Sequence, residues 1–446
     1  MTCGPPLKKI IHFSLPMMAG ALFQQLYNIV DMLVVGNMLG SRALAAIGVT
    51  GSATFFATAL ATGLTTGYTT VASQYFGAKD IAMVRKSVGA SIWISAACAA
   101  LLALAGFFGA LPLMRLLNTP DDIIHDAAMY LKICIGVSAG TVFFNSASAL
   151  LRAVGDSRTP LIFLIIASVL SALLDLLFIL VFKMGVGGAA AATVIAQLLS
   201  AAACIVYMYR RFDIFKLKLS DLMPHPPVAA RILKIGLPVG FQSLLLAVGD
   251  ITITGVINSY GSDVVAAYAT GWRITMFAMM FSMNLAMAYA VFAGQNLGAG
   301  EIKRIKRGFT DTVIVMTALS AFMAAAVFIA GDSMLRFFIS SADAHVESVV
   351  ALARVYLRIS ASFYVFLGAI WLYNFTLRGI GDVAVPFASG LVELASKIGL
   401  SILFSYLFGY IGIWFAMPVG WVLGVIPSAV RFHTGGWKKL GAKASA

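Results

Sequence analysis

The chain has 446 residues, 61% of them hydrophobic and 11% charged, against the ~45–50% apolar content of soluble domains; this composition excludes a soluble globular protein and describes an integral membrane one. The formal net charge of +13 does not mark a nucleic-acid binder, because the basic residues fall in short connections between apolar blocks rather than on one patch. Cys3, Cys98, Cys134 and Cys204 are far apart without CxxC spacing, so they form neither a metal site nor a disulfide framework.

Apolar blocks of about 20 residues, the length that crosses a ~30 Å hydrocarbon core as a helix, recur almost throughout. The first runs from about Ile10 to Leu39; it exceeds the ~7–15-residue core of a cleavable signal and is expected to be retained. Breaks at glycine, proline and charge clusters predict helices near 10–36, 45–72, 87–110, 126–151, 160–183 and 188–210. The polar, proline-bearing interval FDIFKLKLSDLMPHPP, Phe212 to Pro227, then separates these from a second set near 230–257, 264–293, 309–331, 348–377, 384–408 and 412–433. The expected domains are an amino-terminal six-helix lobe over 1–211, a cytoplasmic linker over 212–229 and a carboxy-terminal six-helix lobe over 230–446.

Alternate connections hold the cations. Lys8/Lys9, Lys79/Arg85/Lys86, Arg152/Arg158, Arg210/Arg211/Lys216/Lys218, Lys303/Arg304/Lys306/Arg307, Arg378 and Lys438/Lys439 fall on one side. The other side has few cations and more acids, among them Asp121, Asp122, Asp263, Asp332 and Asp343. The positive-inside rule makes the first side, with both termini, cytoplasmic.

The two halves repeat one another. GSRALAA at Gly40 returns as GSDVVAA at Gly261, QYFGAKD at Gln74 returns the same interval later as QNLGAGE at Gln295, and RAVGD at Arg152 returns as RGIGD at Arg378. Six spans separate each pair, so matched motifs keep the same membrane orientation. Parallel repeats of this kind are typical of carriers that rock two bundles about a central cleft.

The SLP opening of the first helix (Ser14, Leu15, Pro16), NIVDMLVVGNMLG, QYFGAKD, RAVGDSRTP, the GLP opening of the seventh helix (Gly236, Leu237, Pro238) and RGIGD together resemble the multidrug and toxic compound extrusion (MATE) family over nearly the whole chain. The resemblance implies an all-α integral membrane protein whose twelve transmembrane helices, in two six-helix repeats, form a V-shaped pair of bundles with a central cleft. It also implies that Asp31 and Asp175 are the two amino-lobe acids of the DinF-like branch. It points as well to Thr193 and to Ser171, which stands where the family commonly has Asn. The norfloxacin-resistance (NorM) branch carries carboxy-lobe acids at positions that are Leu246 and about Leu367 here, a departure from that branch.

Independently of any family, ionisable groups deep in a span are costly and mark functional pathways. The deep ones are Asp31, Asp175, Asp250, Glu393 and Lys397; the histidines, His12, His125, His225, His345 and His433, lie near termini or loops, which argues against a histidine relay. Glu393 and Lys397 are four apart on one helix face and read as a structural ion pair. Asp31 and Asp250 occupy matching repeat positions, and the RGIGD interval maps Lys397 onto Ser171, so Asp250 is expected near Lys397 while Asp31 and Asp175 have no deep Lys or Arg in their half. An uncompensated carboxylate in low dielectric binds a proton or a metal cation. Asp31 and Asp175 are therefore the candidate coupling site for H⁺ or Na⁺, with Ser171, Thr193 and Asn28 as oxygen suppliers for Na⁺. Gln24 and Asn28, on roughly the face of Asp31, are candidates for substrate or cation contact. The stripe Met276, Met279, Met280, Met283 and Met287 is either packing or the lining of an adaptable drug cleft.

The expected function is a cation-coupled antiporter of the plasma (inner) membrane that works as a monomer and exports amphipathic organic cations. No cofactor is expected, and no GxxxxGK[ST] phosphate loop is present. The alternatives are a lipid or oligosaccharide flippase of the wider superfamily, for which 14 spans are usual, and an intramembrane enzyme, which lacks any adjacent catalytic motif.

Overall fold

The computed structural model describes residues 1–339 and 346–438; Asp343, His345 and Lys439 lie outside them. Among the described residues every regular element is helical. In chain order these are α1 (Pro6–Val49), α2 (Gly51–Gly77), α3 (Ile81–Leu116), α4 (Ile124–Gly136), α5 (Ala139–Ala153), α6 (Arg158–Leu176), α7 (Gly185–Arg211), α8 (Pro226–Asn258), α9 (Ser262–Gly298), α10 (Ile302–Phe338), α11 (Val346–Ser362), α12 (Tyr364–Ile380), α13 (Ala384–Phe408) and α14 (Tyr410–Thr434).

Nine of these helices are long and apolar enough to cross a membrane, and eleven spans result when the pairs α4–α5 and α11–α12 each count as one. The remaining segment is α2, which carries no charge but whose threonines and glycines lower its hydropathy. Side chains such as Leu101, Leu104, Phe108 and Leu180 are exposed on the outer faces, where lipid rather than water satisfies them, while the backbone polar groups are closed within the helices.

The expected spans 126–151 and 348–377 are each two helices. They bend by 42° between α4 and α5 and by 51° between α11 and α12. The first bend follows Gly136, a poor helix former, whose backbone touches α3: a Cβ on Gly106 would come 2.8 Å from Gly136 Cα.

The duplication is written into the backbone. Gly40 and Gly261 have φ of 83° and 93°, Lys79 and Gly300 have 60° and 74°, and Gly155 and Gly381 have 94° and 92°. Each pair occupies the same place in its repeat. At Gly40 this left-handed residue separates the first span from the approach to the second, although α1 is otherwise continuous to Val49.

Two compact units contain these helices: residues 15–240, and residues 1–14 with 241–446. The opening turns of α8 therefore pack with the amino-terminal half, and those of α1 with the carboxy-terminal half. In the first unit, Gly63 and Gly67 of α2 meet Gly236 and Gly240 of α8, two GxxxG patterns face to face. A Cβ on Gly63 would lie 2.6 Å from Gly236 O, and one on Gly67 would lie 2.5 Å from Ile232 O. The residues after α7 fold onto the same unit as two short 3₁₀ turns, Asp213–Phe215 and Leu219–Asp221. Arg85 Nη2 donates to Asp213 O at 3.0 Å and Trp93 Nε1 to Leu222 O at 2.7 Å.

In the second unit the core centres on fully buried Tyr356, Trp414 and Trp421. Tyr356 meets Tyr268 and Trp414 edge-on, with centroids 5.5 and 6.0 Å apart, the arrangement favoured by ring quadrupoles.

Candidate cation-coupling site

The site lies within the first unit, between α1, α6 and α7. Asp31 is on α1, and Asp175 is one residue from the end of α6, where the chain passes into a π-helical turn over Leu177–Val181. Such turns recur at functional sites because the extra residue re-aims the neighbouring side chains. Asp175 is completely buried. The two carboxyls lie within electrostatic reach of one another. No protein group donates to Asp31 Oδ1 or to either oxygen of Asp175. Neighbouring carboxyls without a donor do not readily both ionise in a low-dielectric site, which makes the pair a candidate holder of one proton or one cation.

One helical turn earlier on both helices stands a second cross-link. The Tyr27 hydroxyl, four residues before Asp31, shares a hydrogen bond of 2.9 Å with Ser171 Oγ, four residues before Asp175, and lies 3.4 Å from Thr193 Oγ1 on α7. Beside it is a cavity of about 10 Å³ lined by Gln24, Tyr27, Ser168, Ser171, Thr193 and Gln197, room for a single water. The buried Gln197 Oε1 has no hydrogen-bond partner. On the other flank Tyr130 and Cys134 of α4 lie within electrostatic reach of Asp31.

Asp31, Asp175, Ser171 and Thr193 are thus gathered in one place. Asn28 is exposed and accepts from Gln24 Nε2 at 3.3 Å, so its side chain is held by Gln24 rather than by the carboxyls. Tyr27, Tyr130 and Gln197 belong to the site without having been singled out from the sequence. The available signal was spacing: Tyr27 is one turn from Asp31, and Gln197 one turn from Thr193.

The second unit holds the other deep charges. Lys397 Nζ is 2.6 Å from Glu393 Oε1, with side-chain exposures of 7% and 11%, and Asp250 lies within electrostatic reach of both. Room for the pair comes from α14: a Cβ on Gly420 would lie 2.6 Å from Lys397 Cγ, and one on Gly424 would lie 2.9 Å from Glu393 Cβ. Of the methionine stripe, Met279 and Met280 are buried, with Met279 inside the core around Trp414, whereas Met283 is exposed and Met276 and Met287 are half-buried.

The duplicated, parallel, all-helical architecture with its apolar spans is that of a multi-pass membrane transporter. The MatE family model matches residues 16–177 and 238–407, two stretches that begin at the repeat-related Pro16 and Pro238, and the chain belongs to the MATE family of membrane transporters. It is 32% identical to the "Probable multidrug resistance protein YpnP" of Bacillus subtilis over 98% of this chain and 97% of that protein. It is 23% identical to the "Multidrug export protein MepA" of Staphylococcus saprophyticus subsp. saprophyticus over 91% and 89% of the respective chains. Its fold matches that of a multidrug resistance MATE family transporter of the MOP superfamily solved in an outward-facing conformation, with a TM-score of 0.90 and 23% identity over 98% of this chain and 97% of that one.

Proposed function

We infer that this chain is a proton-coupled antiporter that exports amphipathic, cationic organic compounds across the plasma membrane, with both termini cytoplasmic and one chain as the working unit. The observation that carries this reading is the Asp31–Asp175 carboxyl pair, in which Asp31 Oδ1 and both Asp175 oxygens are buried without a hydrogen-bond partner. The names of the relatives, a multidrug resistance protein and a multidrug export protein, support the substrate class. Distribution of cations among the connections supports the orientation.

In this mechanism the pair binds a proton from outside, which neutralises the charge that attracts the cationic cargo. Proton and cargo compete, and each stabilises a different conformation; exchange requires that difference in affinity. Tyr27, Ser171 and Thr193 tie α1 to α6 and α7 beside the pair, so a change in its charge reaches three helices at once.

The test is purified protein in liposomes with an imposed pH or Na⁺ gradient and a fluorescent cationic dye. Dye movement driven by the pH gradient alone is expected. Movement driven only by Na⁺ would reassign the coupling ion, and no gradient-driven movement across a panel of dyes would overturn the reading. Translocation of a labelled lipid instead of dyes would favour a flippase.

A further inference from the structure

Away from the carboxyl pair, the first unit contains a second and larger cavity of about 280 Å³. α3 and α7 both pack on α5, and the Asp213–Phe215 turn packs on α3 and α7. The space between them is walled by residues including Ile92, Phe143, Ala147, Ile205, Met208 and Phe215. It opens on the surface, since Ile205 and Tyr209 in its wall are 44% and 56% exposed.

Its lining is almost wholly apolar, with Ser91, Ser146 and, at the exposed mouth, Tyr209 as the polar side chains. The two serines that reach it are already engaged: Ser91 Oγ donates to Ser87 O at 2.7 Å, and Ser146 Oγ shares a 2.6 Å hydrogen bond with Ser95. Drug sites fix their ligands through a few convergent polar groups, and beyond the two engaged serines this cavity has only Tyr209 at its exposed mouth. A featureless apolar chain suits it.

The rim is the opposite. Arg85 stands one helical turn before Val88 of the wall, and Arg211 one turn after Met208. Arg85 Nη2 is tied to the turn through Asp213 O, but its buried Nε has no partner. Lys216 and Lys218 follow immediately after this turn, and Asp213, the acid among them, is paired with Lys216 at 2.6 Å. Trp93, 56% exposed with its indole N–H on Leu222 O, and Tyr209 mark this level as the membrane interface, where amphipathic rings collect.

We propose that this cavity is a lipid site: one acyl chain of an anionic phospholipid lies against α5 between α3 and α7, and its headgroup phosphate is held by Arg85 and Arg211. Nearby basic residues each add to the attraction for an anionic headgroup. The buried Phe215 side chain contributes to the wall from the segment that joins the two repeats, so the lipid would brace that segment.

The experiment is native mass spectrometry of the full chain in detergent, titrated with phosphatidylglycerol and with phosphatidylcholine. One tightly retained phosphatidylglycerol is expected. Ala147→Phe, which fills the cavity, should abolish retention of both lipids; Ile205→Trp at the rim does the same with less demand on the core, and keeps the test valid if the first variant does not fold. Arg85→Ala and Arg211→Ala should each weaken phosphatidylglycerol by about 5-fold while leaving phosphatidylcholine unchanged. Equal retention of the two lipids by the native chain, undiminished retention in a folded filled variant, or displacement of the lipid by a cationic dye would overturn the proposal, the last assigning the cavity to a drug.

Discussion

Tyr27 and Ser171, 144 residues apart in sequence, share a 2.9 Å hydrogen bond one helical turn from the carboxyls of Asp31 and Asp175. This hydrogen bond is a complete rung between α1 and α6; in the proposed mechanism the carboxyl pair one turn on is a second rung, closed when it takes up a proton or cation. Tyr27→Phe should therefore leave a folded transporter, destabilised by about 1 kcal/mol, the worth of an ordinary hydrogen bond. Because α1 is then held beside the pair by one rung instead of two, a steeper pH gradient should be needed for half-maximal dye efflux in liposomes. A Tyr27→Phe protein with native gradient dependence would remove the rung from the mechanism.

Asp31→Asn and Asp175→Asn should abolish gradient-driven efflux yet fold normally, since each replaces an undonated carboxyl with an amide that can donate to its neighbour. Glu393→Gln should do the reverse. It leaves Lys397 buried with a weaker partner, and breaking such pairs costs about 3–5 kcal/mol, reduced here by the nearby Asp250. Its melting temperature should fall while the protein that remains folded still responds to the gradient. Thermal melts and efflux assays on the same three preparations check both halves of this contrast.

At the α2–α8 contact, Gly63→Leu or Gly67→Val should prevent accumulation of folded protein, because the atoms a side chain would strike are backbone, 2.6 Å away at Gly236 O and 2.5 Å away at Ile232 O. Gly51→Ala, in the same helix but with nothing within 4 Å of the new methyl, should be neutral. Fluorescence size-exclusion chromatography of tagged variants distinguishes them.

Gly40→Ala and Gly261→Ala test conformation without packing. Neither Cβ would meet anything within 4 Å, but φ is 83° and 93° with ψ of 178° and 167°, a region essentially reserved for glycine that costs other residues about 1–3 kcal/mol. Both should lower the melting temperature by similar amounts, whereas Gly48→Ala, helical and equally open, should not.

The span boundaries were legible because glycine, proline and charge interrupt the apolar runs where the helices stop; Gly40, Gly155, Gly261 and Gly381 are read as breaks and adopt left-handed backbone. The bends at residues 137–138 and at Phe363 were not, because hydropathy records how apolar a segment is and not the direction it takes. Nothing in the sequence announces that 226–240 packs with the amino-terminal half, which depends on which glycine faces meet. At the site, the cost of a charge in lipid singles out Asp31 and Asp175, and the repeat adds Ser171. Tyr27 is different: a tyrosine in an apolar helix has the composition of packing, and only its reach to Ser171 on another helix gives it a role.

The exchange of opening turns between the halves imposes an order on biosynthesis. When the sixth span has left the ribosome, the first bundle still lacks residues 226–240, and the GLTTG face of α2 is bare. It can be sealed only by GLPVG, which is made after the connecting turns. A nascent chain that ends before His225 is therefore an unfinished bundle rather than a free-standing half, and should depend on the insertion machinery until the next helix arrives.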